Sequence, residues 1–294
     1  MELLTRIDIP QSEWKMAADA RVLLLGSCFA DEVGQRMERA GMQVMVNPFG
    51  TLYNPASIAA SLLRSISERE YTVEASELLC DDASALWHSW MHHSRFSAAK
   101  RDDLLAAMNE TMHRVADFLR QADVLIVTLG TAFVYRLKDT GMLVANCHKQ
   151  PDQLFVRERM TAYDIVDQWQ MLLQLLASVN PSLRVIFTVS PIRHKRDGLH
   201  ANQVSKGILL QAVDDLVQQA DSGVSVSYFP AYELMMDELR DYRFYAADMV
   251  HPSEVAVDYI WERFQDTFFD SATKDAVAKS TKEWRRRQHR SIIV

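Results

Sequence analysis

Short apolar runs alternate with longer segments of helical period along most of the chain. The runs at 21–25, 43–46, 124–129, 184–189 and 224–229 predict buried strands, because a strand covered on both faces is apolar throughout. Apolar residues three to four positions apart predict helices at 29–39, 56–67, 98–121, 161–179, 201–219, 232–239 and 254–269. This alternation predicts an α/β fold with a mostly parallel five-stranded sheet and helices on both faces.

Two segments depart from this alternation. Residues 68–97 are crowded with aromatic and imidazole side chains, which indicates an insertion near the functional site rather than a core element. Residues 132–160 begin with two apolar stretches around the turn sequence Lys-Asp-Thr-Gly, which predicts a β-hairpin. We therefore expect a single domain over residues 1–294 with insertions at about 68–97 and 132–160.

The first predicted strand ends at Gly26, and Ser27 follows at the start of the first predicted helix. Open α/β sheets hold their ligands at the carboxyl ends of the strands, which is where this serine lies. The helix N-terminus also favours negative charge. Ser27 is therefore a candidate nucleophile whose own amide could stabilise an oxyanion. The alternative is that Ser27 only caps the helix, because serine is a favoured N-cap residue.

A nucleophilic serine needs a base, and the base needs a group that orients it. Asp248 and His251 lie three residues apart in the loop before the last predicted helix, so the carboxylate can bond the imidazole Nδ1–H. The alternative is a helix start at Pro252 with Asp248 as a surface charge. Gly50 and the pair Gly130-Thr131 follow two other predicted strands and could bring donors to the same sheet edge.

Several short motifs together resemble one known family. The chain is similar to the GSCFA family, which belongs among the SGNH/GDSL-like hydrolases. The likeness extends over about residues 20–270 and is carried by Gly26-Ser27-Cys28-Phe29-Ala30, Asn47-Pro48-Phe49-Gly50, Leu129-Gly130-Thr131, Asn146-Cys147-His148-Lys149, Ser190-Pro191 and Asp248-x-x-His251-Pro252.

This resemblance implies a flavodoxin-like, three-layer α/β/α sandwich of the SGNH-hydrolase type. It also implies that Ser27 is the nucleophile, that His251 is the base and that Asp248 is its partner. The amides of Ser27 and Gly50 would form the oxyanion hole.

The third motif departs from the wider superfamily, which supplies an asparagine donor from Gly-x-Asn. Here the sequence is Gly130-Thr131-Ala132, and the alanine side chain has no donor. A third donor is therefore expected from Thr131 or from an inserted side chain, for which the candidates are Asn146, His148 and His93.

Other reactive side chains have structural alternatives. Cys28 is a second possible nucleophile but is expected to be a small buried residue, and Cys147 is expected to be structural while His148 faces the site. His88, His92 and His93 could bind a metal with Asp81 or Asp82, although no metal site is expected. Aromatic rings at 87 and 90 could stack on a sugar or simply pack. Arg193 and His194 begin a basic loop segment that either holds an anionic substrate group or is solvated.

Composition narrows the class of protein further. The 294-residue chain has a formal net charge of −7, which does not imply a nucleic-acid partner. No apolar run is long enough to predict a membrane span. The first 20 residues lack the apolar core of a signal peptide, and three widely spaced cysteines suit a reducing cytoplasm. The arginines at 285–287 are expected at a solvated helix end.

The sequence thus predicts a serine esterase or acyltransferase that acts on a small-molecule or carbohydrate ester, with an O-acetyl ester as one candidate, and requires no metal or nucleotide cofactor. The alternative is a binding module of the same fold that lacks turnover and recognises a glycan or an acylated ligand. Oligomeric state is not predicted.

Overall fold

The computed structural model describes residues 5–72, 77–81, 84–219 and 223–290. The strands are β1 (Arg21–Gly26), β2 (Gln43–Val46), β3 (Leu78–Asp81), β4 (Leu86–Ser89), β5 (Ser97–Ala98), β6 (Val124–Leu129), β7 (Phe133–Leu137), β8 (Leu143–Val144), β9 (Phe155–Arg159), β10 (Arg184–Val189) and β11 (Ser225–Phe229). The α-helices are α1 (Cys28–Arg39), α2 (Pro55–Ile66), α3 (Arg101–Leu119), α4 (Ala162–Val179), α5 (Leu199–Gln218), α6 (Ala231–Glu233), α7 (Glu254–Phe268) and α8 (Ser271–Arg290).

The five predicted strands form one parallel sheet in the order β11-β10-β6-β1-β2. This is the doubly wound order 2-1-3-4-5 of flavodoxin-like folds. The strands are paired in register, with Leu24 opposite Ile126 and Ile126 opposite Ile186. The carboxyl ends of β1, β6 and β10 consequently lie side by side, and the loops that follow them meet at one edge.

The helices cover both faces of this sheet. Leu25, Val127 and Phe187 belong to a buried apolar cluster with residues of α2, α4 and α5. Their sequence neighbours Leu24, Ile126 and Ile186 belong to a second cluster with residues of α1 and α7. Alternate residues of each strand thus face opposite layers. The predicted three-layer α/β/α sandwich with a five-stranded parallel sheet is confirmed.

Most differences from the predicted elements lie in short or polar segments. The predicted hairpin is present as β7 and β8, and β9 pairs with the other side of β7. Residues 68–97 contain most of a second antiparallel sheet, β3-β4-β5, which was not predicted. The predicted helix at 232–239 is instead α6 followed by a π-helical turn, Leu234–Glu238. Helix α8 was not among the helices predicted from apolar periodicity, and the basic residues at 285–287 are exposed on it, where a solvated helix end was expected.

Gly26 has a backbone conformation that fixes the end of β1. Its φ is +139°, and a Cβ there would collide with the Thr128 backbone of the adjacent strand. The Gly26 amide donates to the side-chain oxygen of Asn47 at 2.8 Å. A residue with a side chain would be strained at this position, so glycine is required for the close turn into Ser27.

A buried histidine lies beside the small antiparallel sheet. His92 is 1% exposed, and its ring lies edge-on to Phe49 and Tyr71. Its Nδ1 shares a hydrogen bond of 2.9 Å with Ser89 Oγ, while Nε2 has no hydrogen-bond partner among the described residues. Burial lowers the pKa of His92 from its ordinary 6.5 to about 3, and the charges of two nearby arginines and His148 add to the effect.

This histidine is expected to make folding stability depend on pH. Between pH 6.5 and about 3 the unfolded chain binds the proton more tightly than the folded one, so stability falls as the pH falls through that range. One such group contributes a slope of up to about 1.4 kcal/mol per pH unit. We expect His92→Gln to reduce the slope measured by urea unfolding, and His200→Gln, at an exposed position, to leave it unchanged. Equal slopes in wild type and His92→Gln would contradict this assignment.

Candidate active site

Ser27 lies at the junction of β1 and α1, at the carboxyl edge of the sheet. It is 1% exposed and is the N-cap residue of α1, because its Oγ accepts from the Phe29 amide at 3.3 Å. The same hydroxyl donates to Ser190 Oγ at 2.9 Å, at the end of β10. Ser27 therefore caps the helix, and the same hydroxyl lies at the sheet edge, where a nucleophile was expected.

Asp248 and His251 form a hydrogen-bonded pair in the loop before α7. The Nδ1 of His251 lies 2.5 Å from Asp248 Oδ2, and Asp248 Oδ1 accepts from the backbone amides of Val250 and His251 at 2.8 and 3.0 Å. These donors, led by the His251 amide, hold the pKa of Asp248 well below its usual range. An ionised Asp248 fixes the tautomer with the proton on Nδ1, which leaves Nε2 as an acceptor.

Ser27 and His251 line the same cavity of about 400 Å³. Ser27 donates its hydroxyl hydrogen to Ser190, and no Ser27–His251 hydrogen bond is formed within the described part of the chain. Catalytic hydrogen bonds often tighten only when substrate binds. The remaining lining residues come from seven segments of the chain: Cys28, Tyr53, Asn54, Thr131, Phe133, Tyr135, Ala145, Arg157, Ile192, Arg193, His194, Lys195, Arg196, Asp197 and Val250.

The backbone amides expected in an oxyanion hole are already engaged. The Ser27 amide donates to Thr128 O at 3.1 Å and the Gly50 amide to Asn47 O at 2.8 Å. Gly50 also does not line the cavity: a Cβ added to it would meet His93. This corrects the expectation that these two amides form the hole, because the turn geometry directs both N–H groups at neighbouring carbonyls.

The donors expected from the third motif are engaged as well, and the residues expected to supply a donor from the inserted hairpin do not line the cavity. The amides of Gly130 and Thr131 both donate to Tyr53 O, and the Thr131 hydroxyl shares a hydrogen bond with Ser205 Oγ. Asn146 accepts the His148 amide through its Oδ1. Of these residues only Thr131 lines the cavity.

The histidines of the insertions lie outside the cavity. His148 bonds Ser89 O through Nε2 at 2.7 Å and stacks on His88. His93 accepts the Arg95 amide through Nδ1. This corrects the expectation of a site-facing His148, since its ring is held against His88 and Ser89 of β4. No group of three metal-binding side chains is present among the described residues, and Asp82 lies outside them.

Asn54 is a functional candidate that the sequence did not single out. Its Oδ1 caps α2 by accepting the Ser57 amide at 2.8 Å. Its Nδ2 has no hydrogen-bond partner in the described part of the chain and, unlike the buried orphan atoms, is accessible. The Asn-Pro sequence predicted the start of the helix. It did not indicate that Nδ2 of the same side chain borders the cavity that Ser27 lines, which is called the serine cavity below.

The backbone amide of Cys28 is a second candidate hydrogen-bond donor at the cavity that Ser27 lines. As the first residue of α1, Cys28 has an N–H outside the intrahelical bonds, and no backbone carbonyl among the described residues accepts it. Its side chain is half-buried and lines the cavity, which corrects the expectation of a small buried residue. Burial raises the pKa of the Cys28 thiol, so the thiolate needed for nucleophilic attack is disfavoured.

Lys206 is a buried base that holds the site together, and His194 is a half-buried base that borders it. The Lys206 amine is fully buried and donates to Gly130 O and Ser190 O at 2.7 and 2.6 Å, so it ties the ends of β6 and β10 together. Burial lowers its pKa to about 7. Burial also lowers the pKa of His194 to about 4, with smaller contributions from Lys206, Arg157 and His251, so His194 is neutral near pH 7.

The other candidates from the sequence have structural positions. Trp90 is buried against Phe155, and Trp87 lies on β4, so neither lines the serine cavity. Cys147 packs beside the Trp90 cluster. No described helix is both long and apolar enough to cross a membrane.

The chain folds as a doubly wound α/β sandwich with a serine at the end of its first strand. Comparison of its sequence with models of known protein families identifies its family. The model of the GSCFA family matches residues 21–264, so the chain belongs to the GSCFA family. No curated protein matches the chain.

Several solved structures are similar at low identity. An acetyl esterase mutant crystallised with acetate has 12% identity and a TM-score of 0.38, covering 83% of this chain and 93% of its own. A family two carbohydrate esterase from Clostridium thermocellum has 10% identity and a TM-score of 0.39, and the match covers 94% of this chain and 67% of the esterase. An acetyl xylan esterase from the rumen bacterium Butyrivibrio proteoclasticus has 13% identity and a TM-score of 0.41, and the match covers 88% of this chain and 64% of that enzyme.

Proposed function

We propose that this protein is a serine esterase that removes, or transfers to a sugar hydroxyl, a small acyl group from a carbohydrate or related alcohol. The observation that carries the proposal is the shared cavity: Ser27 lies on one wall and His251, oriented by Asp248, lies on another. A volume of about 400 Å³ suits a small acyl group with part of its alcohol. Rings of Tyr53, Phe133 and Tyr135 can stack on a sugar.

The reaction would proceed through a covalent acyl-enzyme. Ser27 Oγ attacks the ester carbonyl while its proton passes to His251 Nε2, so the hydroxyl exchanges its bond to Ser190 for one to His251. The tetrahedral intermediate collapses, the C–O bond to the alcohol breaks, and His251 returns the proton to the leaving alcohol. Water or a sugar hydroxyl then attacks the acyl-enzyme by the same steps in reverse.

The oxyanion would be stabilised by the Asn54 side-chain amide and the Cys28 backbone amide. Both residues line the cavity beside Ser27. Among the described residues Asn54 Nδ2 has no acceptor and the Cys28 amide has only its own thiol, whereas the amides of Ser27, Gly50, Gly130 and Thr131 donate to backbone carbonyls. A donor held in place before the reaction stabilises the developing charge without reorganisation.

Asn54→Asp is expected to separate catalysis from helix capping. Aspartate keeps the oxygen that accepts the Ser57 amide but loses the Nδ2 donor. Loss of one oxyanion donor lowers kcat by about 10²–10³-fold. We expect kcat for 4-nitrophenyl acetate to fall by that order, with little change in KM or melting temperature. Unchanged kcat in Asn54→Asp would exclude this amide from the oxyanion hole.

Steady-state hydrolysis of 4-nitrophenyl acetate tests the function itself. The purified protein is expected to release 4-nitrophenol catalytically, and added sugar alcohols are expected to increase the rate if acyl transfer competes with hydrolysis. Mass spectrometry of the acceptor then distinguishes transfer from hydrolysis.

A second candidate function is a binding module without turnover. It is favoured by one observation, the bond from the Ser27 hydroxyl to Ser190 instead of His251. In this case the cavity would bind a glycan or an acylated ligand and leave the ester intact. Saturable ligand binding by calorimetry together with no 4-nitrophenol release above the Ser27→Ala background would select this candidate over the esterase.

A further inference from the structure

We propose that the serine cavity selects esters that carry a carboxylate-type anion, which Arg193 and Lys195 bind. The inference rests on the proposed esterase function and adds the charge of its substrate. Four cationic side chains line the cavity against one carboxylate, Asp197, which leaves a surplus of three positive charges. The whole chain has a net charge of −7, so the surplus is local.

Two of the four cations already have carboxylate partners. Arg157 forms an ion pair with Asp197, and Arg196 pairs with Asp152 at 3.1 Å. The remaining two cations, Arg193 and Lys195, have no carboxylate within salt-bridge distance in the described part of the chain. They bond only the backbone, through Met249 O at 2.8 Å and Asp248 O at 3.0 Å respectively.

Arg193 is held in place but is incompletely satisfied. Its guanidinium lies over the Tyr245 ring at 4.6 Å, and one Nη donates to Met249 O. Among the described residues its Nε is buried without a partner, and the other Nη has no partner either but is accessible. A partly buried guanidinium without an anion is costly, and a planar carboxylate matches its geometry.

The position of Arg193 places the anion near the ester. Arg193 lines the Ser27 cavity and also a neighbouring cavity of about 470 Å³ that contains Tyr232 and Tyr242. The anion would therefore bind on the wall between the two cavities. His194 also lines the Ser27 cavity but is neutral near pH 7, so it adds no positive charge there.

Arg193 and Lys195 also hold the loop that carries His251, so a loss of activity alone would not identify an anion site. Two matched substrate pairs separate these roles. The first pair is 4-acetoxybenzoate and its methyl ester, with the charge on the alcohol part. The second is mono-4-nitrophenyl succinate and its methyl ester, with the charge on the acyl part. Each neutral member reports on catalysis, and the ratio of kcat/KM within a pair reports on charge recognition.

We expect the wild type to prefer the anionic member of at least one pair by about tenfold or more, since hydrogen bonds to charged groups contribute about 1.5–3 kcal/mol. The double variant Arg193→Gln/Lys195→Gln is expected to lose most of this preference. Arg243→Gln is the matched control, because Arg243 is exposed, pairs with Asp241 and lines neither cavity. The preference should also decrease as ionic strength rises from about 0.05 to 0.5 M.

Equal kcat/KM values within both pairs in the wild type would overturn the anion site while leaving the esterase function intact. A preference that survives unchanged in the double variant would also overturn it. No turnover of any of these esters or of 4-nitrophenyl acetate would overturn the esterase function and, with it, this inference.

Discussion

Replacement of Ser27 by alanine is expected to abolish turnover of 4-nitrophenyl acetate. Loss of the nucleophile removes the covalent route, and in a serine protease the equivalent loss costs about 10⁶-fold in kcat. Ser27 is buried and caps α1, so its loss also affects stability. A melting curve of the same sample is therefore needed to show that Ser27→Ala is folded at the assay temperature.

Two neighbouring variants show whether the effect belongs to Ser27 alone. Ser190→Ala removes the partner of the Ser27 hydroxyl but no group that transfers a proton. Cys28→Ala removes the thiol but keeps the backbone amide at the same position. Both variants are expected to retain most of the activity. Full activity in Ser27→Ala, or inactivation by a thiol reagent that Cys28→Ala prevents, would contradict a serine nucleophile.

Replacement of His251 by glutamine is expected to lower kcat by about 10⁶-fold, which is the order found when the histidine of a serine-protease triad is removed. Glutamine keeps a polar group at this half-exposed position but cannot accept and return the proton. Asp248→Asn should cost less, about 10⁴-fold, because an amide no longer selects the tautomer with hydrogen on Nδ1. The exposure of this pair, with side chains 47% and 49% accessible, makes loss of folding a small concern.

His194 is the competing base, since it lines the same cavity. Its pKa of about 4 would place the acid limb of a pH–rate profile near pH 4 if it were the essential base. We expect His194→Gln to retain turnover and to leave the acid limb of kcat/KM in place. An acid limb centred near pH 4 that His194→Gln removes would transfer the role of base from His251 to His194.

The centre of the sheet was predictable from the sequence because β1, β6 and β10 are buried on both faces and are largely apolar. The bounds of β2, β6 and β10 agree with the prediction. The strands β3, β4 and β5 have two to four residues of mixed polarity, so no periodicity distinguished them from loop. Helix α8 was missed for a related reason: it is largely polar.

The site was predictable where its chemistry is local. The pairing of Asp248 with His251 depends only on a three-residue turn, and Ser27 depends only on a strand end. The oxyanion donors depend on the direction of each amide, which is set by tertiary partners such as Thr128 O for the Ser27 amide. The accessibility of Asn54 Nδ2 likewise follows from the packing of α2 and not from any short motif.

Covalent labelling tests the central claim most directly. Diethyl 4-nitrophenyl phosphate reacts with activated serines by forming an Oγ–phosphorus bond and releasing 4-nitrophenolate. After incubation at neutral pH, peptide mass spectrometry should locate one diethylphosphoryl group on Ser27, and the label should be absent from Ser27→Ala and strongly slowed in His251→Gln. The Cys28→Ala variant should label like wild type. A label on another residue, or labelling of Ser27 at the same rate without His251, would contradict a Ser27 nucleophile activated by His251.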